Sequence, residues 1–343
     1  MNGQEVLLLL LRSGLHGQPL QDGELAAVSK LKEQHWRWLL NLAGRQTVTG
    51  LVYSAVEILP ADVEVPPDII MELMAANLAI ERDSSHKKDV SARLCSSLQE
   101  AGLSPVLMKG SSVAEHYPHP LRRVSGDIDI CLPEEEANKA FEMLSGQCSA
   151  PDGSLHCKIE GIDIDIHRRY FDLHIAQRLL PAPGSAEAEL LMLSSHILKH
   201  AAGTGVGLRQ FCDLAAAWKA HAGNIDASLL RRAERSSRIR RWDRLAASFL
   251  AQKLDTPQML ESLFPGQQAC DTEPLMKIVF EGGNFGHFAA NRGEVLGSGA
   301  ARRKRDTVSR FLHHLPFSLR YAPRETLFTI RELVRGNLKR RRG

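Results

Sequence analysis

Residues 107–132 read LMKGSSVAEHYPHPLRRVSGDIDICL, and this stretch decides how the rest of the chain is read. The short apolar run Pro105–Met108 has the character of a strand and ends at Lys109. Gly110, Ser111 and Ser112 follow, residues that let a backbone turn tightly and offer N–H groups and hydroxyls to an anion such as phosphate. A short helical segment is expected over 112–116, then a proline-rich loop. In Gly126-Asp127-Ile128-Asp129-Ile130 the period-2 alternation puts Asp127 and Asp129 on one face of a strand and the isoleucines on the other. Two such carboxylates lie roughly 6–7 Å apart along the backbone, close enough to share one or two hard cations. Mg²⁺ takes one or two carboxylates together with substrate phosphate oxygens, so the pair beside an anion-binding turn points to phosphoryl or nucleotidyl transfer.

A third acidic position comes from residues 158–170, KIEGIDIDIHRRY. Here Ile162, Ile164 and Ile166 share one face, and Asp163, Asp165 and His167 the other. A neighbouring strand in the same sheet would bring Asp163 or Asp165 beside the first pair, a charge cluster that favours a bound metal.

A Gly-Ser turn, a helix, an Asp-x-Asp strand and a later acidic strand resemble the nucleotidyltransferase fold of the DNA polymerase beta superfamily. More narrowly, Leu107-Met108-Lys109-Gly110, Tyr117, Arg123, Asp127-Ile128-Asp129-Ile130 and Asp165-Ile166-His167-Arg168 look like a little-characterised bacterial nucleotidyltransferase family, over roughly residues 36–213. The resemblance implies an α+β protein in which a small mixed β-sheet core is embedded in N-terminal and C-terminal helical regions. It makes Asp165, rather than Asp163, the third carboxylate. Asp127, Asp129 and Asp165 would then be catalytic and hold Mg²⁺ or Mn²⁺. A nucleoside triphosphate would be the substrate, met by Lys109, Gly110, Ser111, Arg123 and Arg209. Family members carry a His-x-x-x-His helix followed by Arg and Asp, here His196, His200, Arg209 and Asp213. Without that likeness, the histidine pair reads chiefly as a packed or hydrogen-bonded helical pair, since no glutamate beside His196 completes a zinc signature, and Arg209 reads as an i, i+4 partner of Asp213.

The chain divides on pattern into an N-terminal helical region (1–100), the α/β core (101–172), a helical domain (173–300) and a basic helical tail (301–343). A crossover helix is expected over 134–145, a helix from about 185 to 202 and two amphipathic helices within 224–254, with Arg231, Arg232, Arg235, Arg238, Arg240 and Arg241 on exposed faces. Glu81, Arg82 and Asp83 read as ordinary solvent residues. The Gly-rich run Glu281–His287 follows a helix and lacks a Walker lysine, so it reads chiefly as a helix stop. In the tail, helices are expected from about 302 to 315 and from about 323 to 338, separated by a proline-bounded turn.

Composition sets the remaining bounds. The apolar run Val6–Leu11 is too short for a membrane span or a signal-peptide core, and the six cysteines show no Cys-x-x-Cys spacing. Both suggest a cytoplasmic protein without a zinc ribbon or disulfide framework. Residues 301–343 hold 13 Lys/Arg against 3 Asp/Glu, leaving 30 against 37 in the rest of the chain. That tail suits an anionic partner or a solvated face. The acceptor is open: a small molecule, a peptide, a glycan precursor or nucleic acid. The rival reading is a non-catalytic nucleotide-binding or regulatory module that docks an anionic partner through its tail.

Overall fold

The computed structural model describes residues 2–144, 146–149, 155–174, 180–203, 205–283 and 300–340, the side chains of 300–308, 310 and 332–340 lying outside the description. It comprises two compact units, Met1–Tyr170 and Phe171–Gly343.

The first unit opens with five helices, α1 (Gly3–His16), α2 (Asp22–Val28), α3 (Glu33–Arg45), α4 (Thr49–Glu57) and α5 (Pro67–Glu100). Asn2 and Glu5 cap α1 reciprocally, and its whole apolar run Val6–Leu11 is buried. Pro67 opens α5 at a position where the missing N–H costs nothing. Then come β1 (Val106–Met108), α6 (Gly110–Ala114), a single 3-10 turn (Pro120–Arg122), β2 (Ile128–Cys131), α7 (Glu134–Met143), β3 (Cys148–Ser149), β4 (Leu155–Ile159) and β5 (Ile162–His167).

The five strands form one mixed sheet in the order β1-β2-β5-β4-β3. Only β2 and β5 are parallel; the other neighbours are antiparallel. A parallel pair needs a crossover, which α7 provides. The β4–β5 hairpin closes through Glu160 and Gly161, both at positive φ (51° and 83°), as a two-residue turn of matching twist demands. One sheet face is apolar: Ile128, Ile130, Ile164, Ile166 and Cys157 bury against Val90, Leu94 and Leu98 of α5 and Ala137 and Ala140 of α7. The α+β architecture expected from sequence is therefore observed.

Two expectations are corrected. Cys148 and Cys157, direct partners across β3 and β4 with Cα atoms 3.9 Å apart, form a disulfide. Their pairing follows from strand register, which spacing along the chain does not reveal. The second correction concerns Pro316: helix α14 (Ala300–Tyr321) runs through it, and the break before α15 (Pro323–Arg340) falls at Ala322. A proline removes one intrahelical hydrogen bond and kinks a helix without having to end it.

The second unit is helical: α8 (Ala186–Ala202), α9 (Leu208–Ala220), α10 (Ala227–Ser237), α11 (Arg240–Lys253), α12 (Gln258–Leu263), α13 (Glu273–Gly282), then α14 and α15. Phe211, Phe249, Trp218, Trp242 and Phe264 fill its core. Arg232, Arg235, Arg238 and Arg241 are exposed as expected. Arg231 instead donates to the Ser262 carbonyl (2.6 Å), and Arg240 to the buried Glu234 (3.0 Å). Residues 284–287 of the Gly-rich run, and the side chains of Arg302–Arg305 and Lys339–Arg342, lie outside the described residues. Among the described residues no helix is long and apolar enough to cross a membrane.

Glu234 and Asp243 are an acidic pair inside this unit, at 1% and 2% exposure. Burial raises both carboxyls above their ordinary range, and for Glu234 the charge of Asp243 adds to it, against Arg240. Ser194 donates to Asp243 and accepts from Trp242 Nε1 (3.0 Å). Since the folded state holds these protons more tightly than the unfolded chain, stability is full in acid and falls as pH rises from the usual carboxylate range through neutrality. Asp243→Asn, which keeps an acceptor for Ser194, is expected to stabilise the protein at about pH 8.5 by about 1 kcal/mol or more, roughly 2–4 °C in thermal midpoint, and by less at about pH 5. Melting curves across this range check it.

Candidate active site

The polar face of the sheet carries the candidate site, and strand register builds it. Met108 of β1 pairs with Asp129 of β2, Asp129 with Asp165 of β5, and Asp165 with His156 of β4. These residues form one rung across four strands. Directly opposed residues on neighbouring strands share a face, and the strands are about 4.8 Å apart, so Asp129 and Asp165 must be close. One ligand atom from each of Asp129, Asp165 and His167 indeed lies within 4.8 Å of the other two.

Asp129 is the most engaged member. It is 8% exposed, and its Oδ1 accepts from Lys109 Nζ (2.9 Å) and from His167 Nε2 (2.6 Å). Burial alone would raise its pKa, but the His167 bond and the Lys109 charge overrule it and bring the carboxyl down to about 2. Asp165 pairs with His156 Nδ1 at 2.6 Å. Asp127, just before β2, is exposed and falls outside that 4.8 Å group, though it feels the charge of both its acids. Partial desolvation, then the negative charges of Asp129 and Asp165, hold its carboxyl above the ordinary range. Asp163, on the same side of β5, is exposed and lies 3.8 Å from Lys158 Nζ, outside the cluster.

The strand-to-helix turn differs in detail from its sequence reading. Glycine was expected to make the tight bend; Lys109 makes it, at φ 50° and ψ −127°, a conformation glycine favours. In a regular strand Lys109 would face away from Asp129, so the bend is what returns its ammonium to the site. Gly110 serves another end: a Cβ there would stand 3.3 Å from Arg123 Nη1, so its absence admits the buried guanidinium. Gly110 and Ser111 are the first residues of α6, ahead of its first backbone bond from Val113 N–H to the Lys109 carbonyl (2.9 Å).

The loop leading to Asp127 is pinned to the helical layer. Arg122 donates to Glu81 (3.0 Å) and Ser54 (3.1 Å), pairs with Glu57, and lies over the Tyr53 ring. Ser84 donates to the Arg123 carbonyl (3.1 Å), and Lys87 to that of Ser125 (3.2 Å). Glu81 is thus no ordinary solvent residue. Arg209 lies in the second unit, buried on α9. In that unit His196 and His200 meet through their Nε2 atoms (3.1 Å), and His196 Nδ1 lies 3.2 Å from Asp172.

Residues 32–254 match the model of a family described as uncharacterised nucleotidyltransferase. The chain belongs to that family. No curated protein and no solved structure matches it. In this family member the matched region contains every predicted site residue and also His156 and His167, which the sequence alone does not mark as site residues. Alternation had placed His167 on the acidic face; His156 needed the β4–β5 pairing to be found.

Gly50 of α4 passes close to the loop backbone, since a Cβ there would stand 2.0 Å from the Arg122 carbonyl oxygen. Gly50→Ala is expected to cost about 1–3 kcal/mol by forcing backbones apart. Urea unfolding of the two proteins measures it.

Proposed function

We propose that this member of the family is a divalent-metal-dependent enzyme that moves a nucleoside monophosphate from a nucleoside triphosphate, ATP among the candidates, to an acceptor hydroxyl or phosphate. A bond forms between the acceptor oxygen and the α-phosphorus, the bond from that phosphorus to the β-phosphate bridging oxygen breaks, and pyrophosphate leaves. The observation that carries the reading is the adjacency of Asp129 and Asp165 on parallel strands, next to Asp127 and the Lys109–Ser111 bend.

The donor set fits Mg²⁺ or Mn²⁺. Carboxylate oxygens from Asp129 and Asp165, with Asp127 beside them, are hard ligands of the kind both ions take. When bound, such ions neutralise phosphate charge and lower the pKa of an acceptor hydroxyl. The chain's own residues supply the rest. Arg123, packed against Gly110, and Lys109 offset charge on the triphosphate. Gly110 and Ser111 bring the nucleotide's phosphates to the sheet edge. Asp165, with a side chain 24% exposed, is the carboxylate that can pass the acceptor's proton to water. His156 and His167 keep Asp165 and Asp129 oriented.

Pooling small molecules, peptides, glycan precursors and nucleic acid with each of the four triphosphates, and measuring pyrophosphate, searches for the acceptor. Asp129→Asn and Asp165→Asn are each expected to lower that release at least about 100-fold while leaving the melting profile cooperative. Full activity in both variants would contradict the proposal.

A further inference from the structure

We infer that Lys109 is a resident cation on Asp129 that gives way to a divalent ion when a triphosphate arrives to receive the lysine, so that metal and nucleotide bind as a coupled pair. The inference rests on the functional reading above and concerns how its site is loaded.

Asp129 Oδ1 accepts from both Lys109 Nζ (2.9 Å) and His167 Nε2 (2.6 Å). An ionised carboxylate oxygen has two principal lone-pair directions, and both are engaged. A divalent ion ligating the same oxygen would stand within a few ångströms of an ammonium, where like charges repel strongly because water is largely excluded. The Lys109 side chain is 14% exposed and that of Asp129 10%, so solvent does little to relieve the conflict. At that oxygen the two cations therefore compete. Lys109 is the one placed to move, since its ammonium sits on a long, flexible stem, whereas the short His167 side chain is held on β5.

The lysine's other destination is set by its own backbone. Lys109 is the residue immediately before the first turn of α6, held at φ 50° and ψ −127°. Arg123 lies against Gly110, so a triphosphate drawn to that guanidinium would come within reach of the Lys109 ammonium as well. A phosphate that attracts Lys109 frees Asp129 Oδ1, and a metal on Asp129 releases Lys109 toward phosphate. Each ligand then raises the affinity of the other by the same factor, as linkage requires.

The test measures Mn²⁺ binding to the full chain by electron paramagnetic resonance of free Mn²⁺, without nucleotide and with a triphosphate whose α–β bridge is methylene, the Mn²⁺ taken up by the analogue alone being measured without protein and subtracted. Wild type is expected to bind Mn²⁺ weakly alone and about tenfold or more tightly with the analogue. Lys109→Met, of similar length but uncharged, is expected to bind Mn²⁺ alone about tenfold more tightly than wild type and to gain little from the analogue. Lys109→Arg, which keeps the charge, should remain as weak as wild type without nucleotide. Asp129→Asn serves as the control for the site. If Lys109→Met, shown folded by its melting curve, binds Mn²⁺ no better than wild type, the inference fails while the functional reading stands. Should that variant not fold, Lys109→Gln is read in its place, with the same expectation and the same overturning result. Absence of Mn²⁺ binding to wild type under both conditions, or binding untouched in Asp129→Asn, overturns the inference and the functional reading together.

Discussion

Strands β2 and β5 run parallel and in register, which makes Asp129 and Asp165 direct neighbours with carboxylate oxygens within 4.8 Å of each other. Two negative charges about 5 Å apart repel by about 3 kcal/mol at an effective dielectric near 20. The protein answers with cations and imidazoles: Lys109 and His167 on Asp129, His156 on Asp165. Nothing in a structural sheet requires such crowding, and a neutral pair at those positions would remove the repulsion. The cluster makes physical sense as a site kept ready for positive charge.

Everything that surrounds the cluster serves to hold these strands at this register. The isoleucines alternating with the aspartates commit one face of the sheet to α5 and α7, and a slip of one residue would bury the acids instead. On the polar side, Arg122 and Ser84 fasten the loop before Asp127 to α4 and α5, and the close passage of Gly50 beneath Arg122 fixes its height. The N-terminal helices thus act on the site through that loop as well as through the core. The family match begins within this helical layer, at residue 32, and runs to residue 254 in the second unit.

Much of this was legible in the amino-acid sequence because strand alternation is a local property. The pattern in residues 158–170 named which residues share a face, and Asp127 and Asp129 were readable as a pair for the same reason. What alternation cannot give is which strands are neighbours, so choosing between Asp163 and Asp165 needed the family resemblance, and the β2–β5 register puts Asp165 opposite Asp129. The same gap hid His156 and the Cys148–Cys157 disulfide, both products of pairing with β4. Glu81 looked like solvent-facing charge on a long helix because its partner, Arg122, lies 41 residues away. The bend after β1 was assigned to glycine on propensity, yet Lys109 takes the unfavourable conformation. Such exceptions to local preference gather where tertiary contacts, here the bond to Asp129, decide the backbone.

The account depends on one metal-binding locus at the rung shared by β2 and β5. Anomalous diffraction from crystals grown with Mn²⁺ and a non-hydrolysable triphosphate tests it most directly. The account predicts a Mn²⁺ peak within ligand distance, about 2.2 Å, of carboxylate oxygens from both Asp129 and Asp165. A peak that touches neither residue, with triphosphate bound elsewhere on the chain, would contradict it.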